Sequence, residues 1–107
     1  MPTISRATPS QTVITTFEMS PGTCLDLLDE LRDAYANFIS RQPGFLGAGL
    51  HVNDAHTRIA NYSQWRSRED FLSMLRSDEM RERSRRFAEL CRGFEPVMYD
   101  VAETFGE

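Results

Sequence analysis

The stretch that decides the fold runs from Phe45 to Trp65 and reads FLGAGLHVNDAHTRIANYSQW. Its ends, Phe45–Val52 and Thr57–Trp65, are mostly apolar, aromatic or β-branched, and each predicts a β-strand. The four residues between them, Asn53–His56, include the turn-forming Asn and Asp. The stretch therefore predicts two antiparallel strands joined by a short turn.

The residues upstream of this hairpin predict one strand and one long helix. Thr12–Phe17 is β-branched and aromatic, as in a strand. Ser20 and Pro21 then suit the cap and first turn of an amphipathic helix of about five turns, which ends at Gln42-Pro43-Gly44. Its apolar residues recur at three- and four-residue spacing: Leu25, Leu28, Leu31, Tyr35, Phe38 and Ile39.

Downstream of the hairpin, two serines predict the starts of two helices. Ser67 caps a short helix, and Ser77 caps a second one that runs to about Cys91. Pro96–Phe105 predicts the last strand. The apolar stripes are Phe71, Met74 and Leu75 in the first helix, and Met80, Ser84, Phe87 and Cys91 in the second.

The element order β-α-β-β-α-α-β predicts a ferredoxin-like α+β fold, with a four-stranded antiparallel sheet and helices on one face. The other sheet face would be open and apolar, and such a face indicates a partner. We therefore expect a homodimer in which two sheets pair face to face. Alternate residues of a strand lie on the same face of a sheet. This pattern places on the open face Leu46, Ala48, Leu50 and Val52 of the second strand, and Val97, Tyr99 and Val101 of the last strand.

Length and composition indicate one globular domain, residues 12–107, after a polar leader of residues 1–11. The leader lacks the apolar centre of a signal peptide, and no apolar run is long enough to span a membrane, so we expect a cytoplasmic protein. The net charge of −4 does not suggest a nucleic-acid partner.

The reactive residue types narrow the chemistry. All twelve basic residues are Arg, so any mechanism that needs a Schiff-base lysine is excluded. Cys24 and Cys91 form neither a metal-ligand pattern nor a disulfide framework, and we expect two buried, reduced thiols. No phosphate-binding loop or Ser-His-Asp arrangement is present. We therefore predict no metal site.

The third strand carries the residues best suited to chemistry. Its period of two places Ile59, Asn61, Ser63 and Trp65 on one face, with Asn61 and Trp65 about 13 Å apart. A face that holds Ile59 and Trp65 should be buried, and a buried Asn must find hydrogen-bond partners. Asn61 therefore either bonds to a nearby loop while Trp65 packs in the core, or both residues serve a site.

The motifs Pro43-Gly44-Phe45-Leu46, His51, Asn61-Tyr62-Ser63-Gln64-Trp65 and Ser67 resemble the antibiotic biosynthesis monooxygenase family. Within it, the chain is most similar to the anthrone oxygenases of aromatic polyketide pathways, of actinorhodin and tetracenomycin type. The resemblance spans residues 12–105. It implies a dimeric α/β barrel with one pocket per subunit, and oxidation of polycyclic phenols by molecular oxygen without metal, flavin or haem.

The resemblance also implies site residues. The family's catalytic Asn and Trp fall on Asn61, as an oxyanion-hole donor, and Trp65, as a flat apolar wall with one N–H. A family Arg falls on Arg85, although Arg83 lies nearer to the apolar stripe of its helix. A pocket Tyr of the family falls on Phe71, so this chain lacks that hydroxyl.

Further substrate-binding candidates lie on the second strand. Phe45, Gly47, Gly49 and His51 alternate onto one face, where the glycines leave room for a flat ligand or mark a bulged strand. His51 is either a proton acceptor or a structural residue. A haem-degrading relative would carry an Asn on the first strand and a His between residues 67 and 91, and this chain has neither.

These observations lead to one expected function and two alternatives. We expect a cofactor-independent monooxygenase that converts an anthrone-like polyketide phenol to a quinone in secondary metabolism, with oxygen as co-substrate. A polyketide cyclase or isomerase on the same fold is the first alternative. A non-catalytic dimeric ligand-binding protein is the second.

Overall fold

The computed structural model describes residues 10–106, and its elements follow the predicted order, so the α+β class is confirmed. The elements are β1 (Gln11–Glu18), α1 (Pro21–Asn37), a 3-10 turn (Ile39–Arg41), β2 (Phe45–Val52), β3 (Arg58–Trp65), α2 (Arg68–Arg76), α3 (Asp78–Glu89) and β4 (Gly93–Tyr99). Residues 1–9 of the predicted leader lie outside the described residues. Its last residue, Gln11, already belongs to β1.

The four strands form one antiparallel sheet in the order β2-β3-β1-β4. Directly opposite residues share a sheet face, so the pairing identifies a covered face, packed against the helices. Val13, Phe17, Ile59 and Trp65 lie on it and are each 2% or less exposed. The sheet is therefore the ferredoxin-like one that the element order predicted.

Two of the three predicted helix caps are confirmed. Ser67 Oγ accepts a hydrogen bond of 3.1 Å from the Asp70 N–H, and Ser77 Oγ accepts one of 3.2 Å from the Met80 N–H. Ser20 occupies the N-cap position of α1, but its side chain makes no capping hydrogen bond.

The predicted face of α1 was wrong at Leu25, which is 59% exposed. Its neighbour Cys24 is fully buried, as expected for that thiol. The two residues are adjacent and both apolar, and the spacing to Leu28 and Leu31 suits either of them. The helix also ends at Asn37, earlier than expected, and the 3-10 turn covers most of the remainder.

The C-terminal boundaries differ from the predicted ones. β4 spans Gly93–Tyr99 rather than Pro96–Phe105, because its pairing with β1 begins at Gly93 and ends opposite Thr12, near the start of β1. Val101 therefore lies beyond the strand. α3 ends at Glu89, so Cys91 follows the helix and is only partly buried, although it is a free thiol as expected.

A β-bulge near the start of β2 overturns the predicted faces of that strand. Phe45 pairs with Trp65 but Gly47 pairs with Gln64, so one extra residue, Leu46, interrupts the alternation. Beyond the bulge the covered face holds Ala48, Leu50 and Val52, opposite Ser63, Asn61 and Ile59. Gly47, Gly49 and His51 lie on the opposite, open face, next to the exposed Leu46.

The open face is apolar on β4, as predicted. Val97 and Tyr99 are 37% and 48% exposed. Tyr62 of β3 lies on the same face, and its hydroxyl is buried without a hydrogen-bond partner among residues 10–106. None of the helices in that range is long and apolar enough to cross a membrane.

Candidate active site

A small apolar cavity lies between the covered face and the three helices. Its walls come from β1, β3 and β4 on one side and from α1, α2 and α3 on the other. Its free volume is about 40 Å³, little more than the share of one water molecule. Most lining side chains are aliphatic or aromatic, and the polar ones are Thr15, Tyr35, Asn61, Ser63 and Ser84.

Asn61 lies in the middle of β3 and reaches the cavity, as predicted. Its partner is not a loop backbone but the hydroxyl of Tyr35 on α1, which donates a hydrogen bond of 2.8 Å to Asn61 Oδ1. The amide nitrogen of Asn61 has no hydrogen-bond partner among the residues the structure describes. The cavity therefore contains an amide N–H group that is available to donate a hydrogen bond to a ligand.

Burial raises the pKa of Tyr35 to about 12. Tyr35 is the one ionisable residue among those that line the cavity. At neutral pH it keeps its proton and acts as a neutral donor. The cavity walls therefore offer hydrogen bonds and apolar surface, and no group that readily takes up a proton.

Trp65 lies behind the cavity wall rather than in it. The side chain is fully buried, and its ring packs edge-on against Phe71 at 5.8 Å and Phe45 at 5.4 Å between ring centroids. Its indole N–H donates to Ser63 Oγ at 3.2 Å. In this arrangement Trp65 supports the cavity residues Ser63 and Phe71.

The two arginines do not meet the cavity. Arg85 is 74% exposed and forms an ion pair of 2.8 Å with Glu82. The Arg83 side chain is only 9% exposed, but it forms ion pairs with Asp33 at 2.7 Å and Glu79 at 2.9 Å. Ser84, between them, lines the cavity instead. The structure thus does not bring either predicted arginine to Asn61.

Arg83 joins α1 to α3. Its hydrogen bond is the largest influence on Asp33, and it lowers the pKa of that carboxyl, while Asp33 in turn raises the pKa of Arg83. A lowered carboxyl pKa stabilises the fold at pH values above the unfolded pKa, and that stability is lost as pH falls through the folded value. Arg83 is therefore a structural residue that strengthens the fold at neutral pH.

Replacement of Arg83 with methionine should lower the free energy of unfolding, and by more than replacement of Arg85 does, because the nearly buried Arg83 guanidinium joins α1 to α3 through Asp33. Arg85→Met is the matched control, and it should change that free energy by less than about 0.5 kcal/mol. Urea denaturation at pH 7 measures both. Lost turnover in Arg85→Met at unchanged stability would contradict the surface placement of Arg85.

The second-strand candidates divide between two places. Gly47 and His51 lie on the open face and do not line the cavity, and their contact with a ligand stays a prediction. Phe45 and Gly49 line a neighbouring open groove of about 580 Å³ between α1 and β2. Tyr35 borders both the groove and the cavity.

Gly44 shapes the turn that leads into Phe45. Its φ of +84° favours glycine, and a Cβ there would collide with the carboxylate of Asp70. The Gly44 carbonyl accepts a hydrogen bond of 2.7 Å from the Arg66 N–H. The turn therefore fixes the start of β2 against α2, beside Trp65.

With this geometry described, comparison with known proteins identifies the family. A sequence profile described as "antibiotic biosynthesis monooxygenase" (ABM) matches residues 10–86, from the start of the sheet into α3. The chain belongs to the ABM family. Within residues 10–106, this ABM chain has no group of three or more His, Cys, Asp or Glu side chains that could hold a metal ion.

Individual relatives agree with this assignment. Tetracenomycin-F1 monooxygenase from Streptomyces glaucescens is 28% identical, over 99% of this chain and 94% of the relative. Among solved structures, SnoaB from Streptomyces nogalater, a cofactor-independent oxygenase, superposes with a TM-score of 0.80 at 19% identity, over 92% and 99% of the two chains. The ActVA-Orf6 monooxygenase of Streptomyces coelicolor, solved with nanaomycin D, gives 0.78 at 22%, over 94% and 95%.

Sequence reasoning placed Tyr35 of this ABM chain on the apolar stripe of α1, with Leu28 and Leu31. It did not predict the hydrogen bond between Tyr35 and Asn61. Asn61 was expected to need a partner. The Tyr35 hydroxyl and the Asn61 amide both lie on inward faces, and neither has a hydrogen-bond partner nearby in the sequence. Because buried polar groups form hydrogen bonds, this was the signal that the two bond to each other.

Proposed function

We propose that this chain is a cofactor-independent monooxygenase that oxidises an anthrone-like polycyclic phenol to a quinone with molecular oxygen. The observation that supports this most directly is the unpartnered amide N–H of Asn61 in an otherwise apolar, aromatic-rich cavity. Such a donor stabilises negative charge that develops on a substrate oxygen. Family membership and the names of the relatives point to the same class of reaction.

The chemistry needs only the substrate and oxygen. An anthrone loses one ring-CH₂ proton to give a carbanion, which is delocalised onto its carbonyl oxygen as an enolate. One electron passes to O₂, the two radicals combine to form a C–O bond, and the resulting peroxide takes up a proton. Loss of water then leaves the quinone carbonyl, so that CH₂ and O₂ become C=O and H₂O.

The cavity residues have a limited role in this reaction, which is to stabilise the substrate anion and to exclude water. Asn61 N–H stabilises the enolate oxygen, and Phe71 and its apolar neighbours exclude water from the anion. Because Tyr35 keeps its proton at neutral pH, the first proton goes to solvent. The rate should therefore follow ionisation of the bound substrate and rise with pH.

Substrate binding requires the cavity to open. Small-molecule pockets have volumes of roughly 300–1,000 Å³, whereas the free volume here is about 40 Å³. Met74 and Met80 line the α2–α3 side of the cavity, and methionine side chains adapt readily to new shapes. We infer that a flat aromatic substrate displaces these side chains.

Oxygen uptake tests the proposal. Chelator-treated protein is mixed with dithranol or emodin anthrone in an oxygen-electrode cell, and quinone is measured by absorbance. We expect one O₂ consumed for each quinone formed, well above the spontaneous rate and insensitive to chelator. Uptake no faster than in the protein-free control, with all the anthrones tested, would refute the proposal.

A non-catalytic ligand-binding role is the second candidate. It is favoured by the lack of a ready proton acceptor among the cavity residues and by Phe71, which carries no hydroxyl. This role predicts that anthrones bind without any oxygen uptake above background. The same cell, combined with a fluorescence titration of the single tryptophan, Trp65, distinguishes the two roles.

We also propose that the open face forms a homodimer. Val97 and Tyr99 offer exposed apolar surface on this face, at 37% and 48% exposure. A second copy would cover this surface. Its sheet, packed against the first, would give the barrel that the family resemblance implies.

The charge-introducing variant Val97→Arg should shift the mass in solution from twice the 12.3 kDa of one chain towards one chain. Leu25→Arg is the matched control, because Leu25 is also apolar and exposed but lies on α1. Sedimentation velocity measures both. Dissociation by Leu25→Arg alone would place the interface on the helices instead.

A further inference from the structure

A hydrogen bond with a definite direction joins α1 to β3 at the cavity. The Tyr35 hydroxyl donates to Asn61 Oδ1 at 2.8 Å, and an amide oxygen can only accept. Both side chains line the cavity. Trp65 makes a separate hydrogen bond behind the cavity wall, from its indole N–H to Ser63 Oγ at 3.2 Å.

This direction determines how the Asn61 amide is turned. An amide has two orientations that exchange its oxygen and its NH₂ group. The Tyr35 hydroxyl can donate to Asn61 only when Oδ1 points towards α1. In this orientation the NH₂ group faces the cavity. Without that hydroxyl both orientations are open, and one of them presents the carbonyl oxygen to a substrate anion and repels it.

Building on the proposed function, we propose that Tyr35 is a positioning residue that acts through Asn61 and takes no part in proton transfer. It holds the Asn61 N–H groups towards the place where the substrate oxygen becomes negative. The raised pKa of Tyr35 is consistent with this role, because the hydroxyl stays a donor over the whole range in which anthrones ionise.

The steady-state test is a double-mutant cycle on anthrone oxidation. Tyr35→Phe keeps the ring and should lower kcat about 10- to 100-fold through misorientation of Asn61, with KM changed less than threefold. In an Asn61→Ala background the same change should have almost no further effect, because the group through which Tyr35 acts is gone. Ser73→Ala, which removes an exposed hydroxyl on α2, is the control and should retain full activity.

Equal loss of kcat from Tyr35→Phe in both backgrounds would overturn the proposal, since Tyr35 would then act on the substrate directly. An unchanged kcat would overturn it as well. Circular dichroism and the melting temperature of each variant show whether a loss of activity comes from unfolding instead of misorientation.

A second readout does not depend on turnover. The side-chain NH₂ signals of Asn61 in a ¹⁵N-¹H spectrum are identified by their absence in Asn61→Ala. We expect Tyr35→Phe to shift and broaden them, as two orientations exchange, and Ser73→Ala to leave them unchanged. Unaltered Asn61 signals in Tyr35→Phe would refute the positioning role, whereas a protein without oxygenase activity would refute only the proposed function.

Discussion

Replacing Asn61 with alanine should lower kcat/KM for anthrone oxidation about 100- to 1,000-fold, the usual effect of removing one oxyanion-hole donor. Asn61 supplies the cavity with an N–H donor that no other described residue engages. Its loss leaves the enolate oxygen in an apolar surrounding without a hydrogen bond. Initial-rate oxygen uptake over a range of anthrone concentrations measures the change, most of which should fall on kcat.

The control for this prediction is Thr15→Val. Thr15 lies directly opposite Asn61 on β1 and also lines the cavity, but the donor to Asn61 Oδ1 is Tyr35 and not Thr15. This variant should stay within about threefold of the wild-type rate, because it removes an uncharged hydroxyl that does not hold Asn61 while the valine side chain keeps a similar size. An equal loss in both variants would show that general cavity polarity, and not the Asn61 donor, drives the reaction.

Replacing Trp65 with alanine should lower the free energy of unfolding by about 3–5 kcal/mol, the range for buried aromatic residues. The side chain is fully buried between Phe45 and Phe71, and its removal leaves a void and an unpaired Ser63. A domain of this size has a total stability of roughly 5–15 kcal/mol. A large share of it therefore depends on one residue.

Urea denaturation followed by circular dichroism at 222 nm measures this loss, because the variant has no tryptophan to report by fluorescence. Trp65→Phe is the matched variant, and it should recover more than half of the stability, since the ring contacts remain. A loss below about 1 kcal/mol in Trp65→Ala would contradict its place in the core.

The parts of the fold that depend on local signals were predictable from the sequence. Alternation and turn residues gave the β2–β3 hairpin, and the Ser67 and Ser77 caps gave the starts of α2 and α3. These signals work because each one involves a few neighbouring residues. The cavity residues Asn61 and Phe71 followed from the same strand and helix periodicities together with the family resemblance.

The parts that depend on distant contacts were not predictable in this way. Arg83 turns inward because Asp33, on another helix, meets its guanidinium, and nothing adjacent in the sequence indicates that pairing. β4 ends where its partner strand begins, although its own residues favour a longer strand. Tyr35 and Asn61 are 26 residues apart, and only the fold brings them together.

The β-bulge at Leu46 sets the phase of the whole second strand. Shortening the chain by this one residue would restore strict alternation and turn Gly47, Gly49 and His51 towards the helices. The imidazole of His51 would then stand where Leu50 now faces Asn61. A single insertion or deletion thus exchanges an apolar wall for a titratable one, a larger change of chemistry than most substitutions in the cavity produce. Relatives that differ in length here should be compared by strand phase rather than by aligned letter.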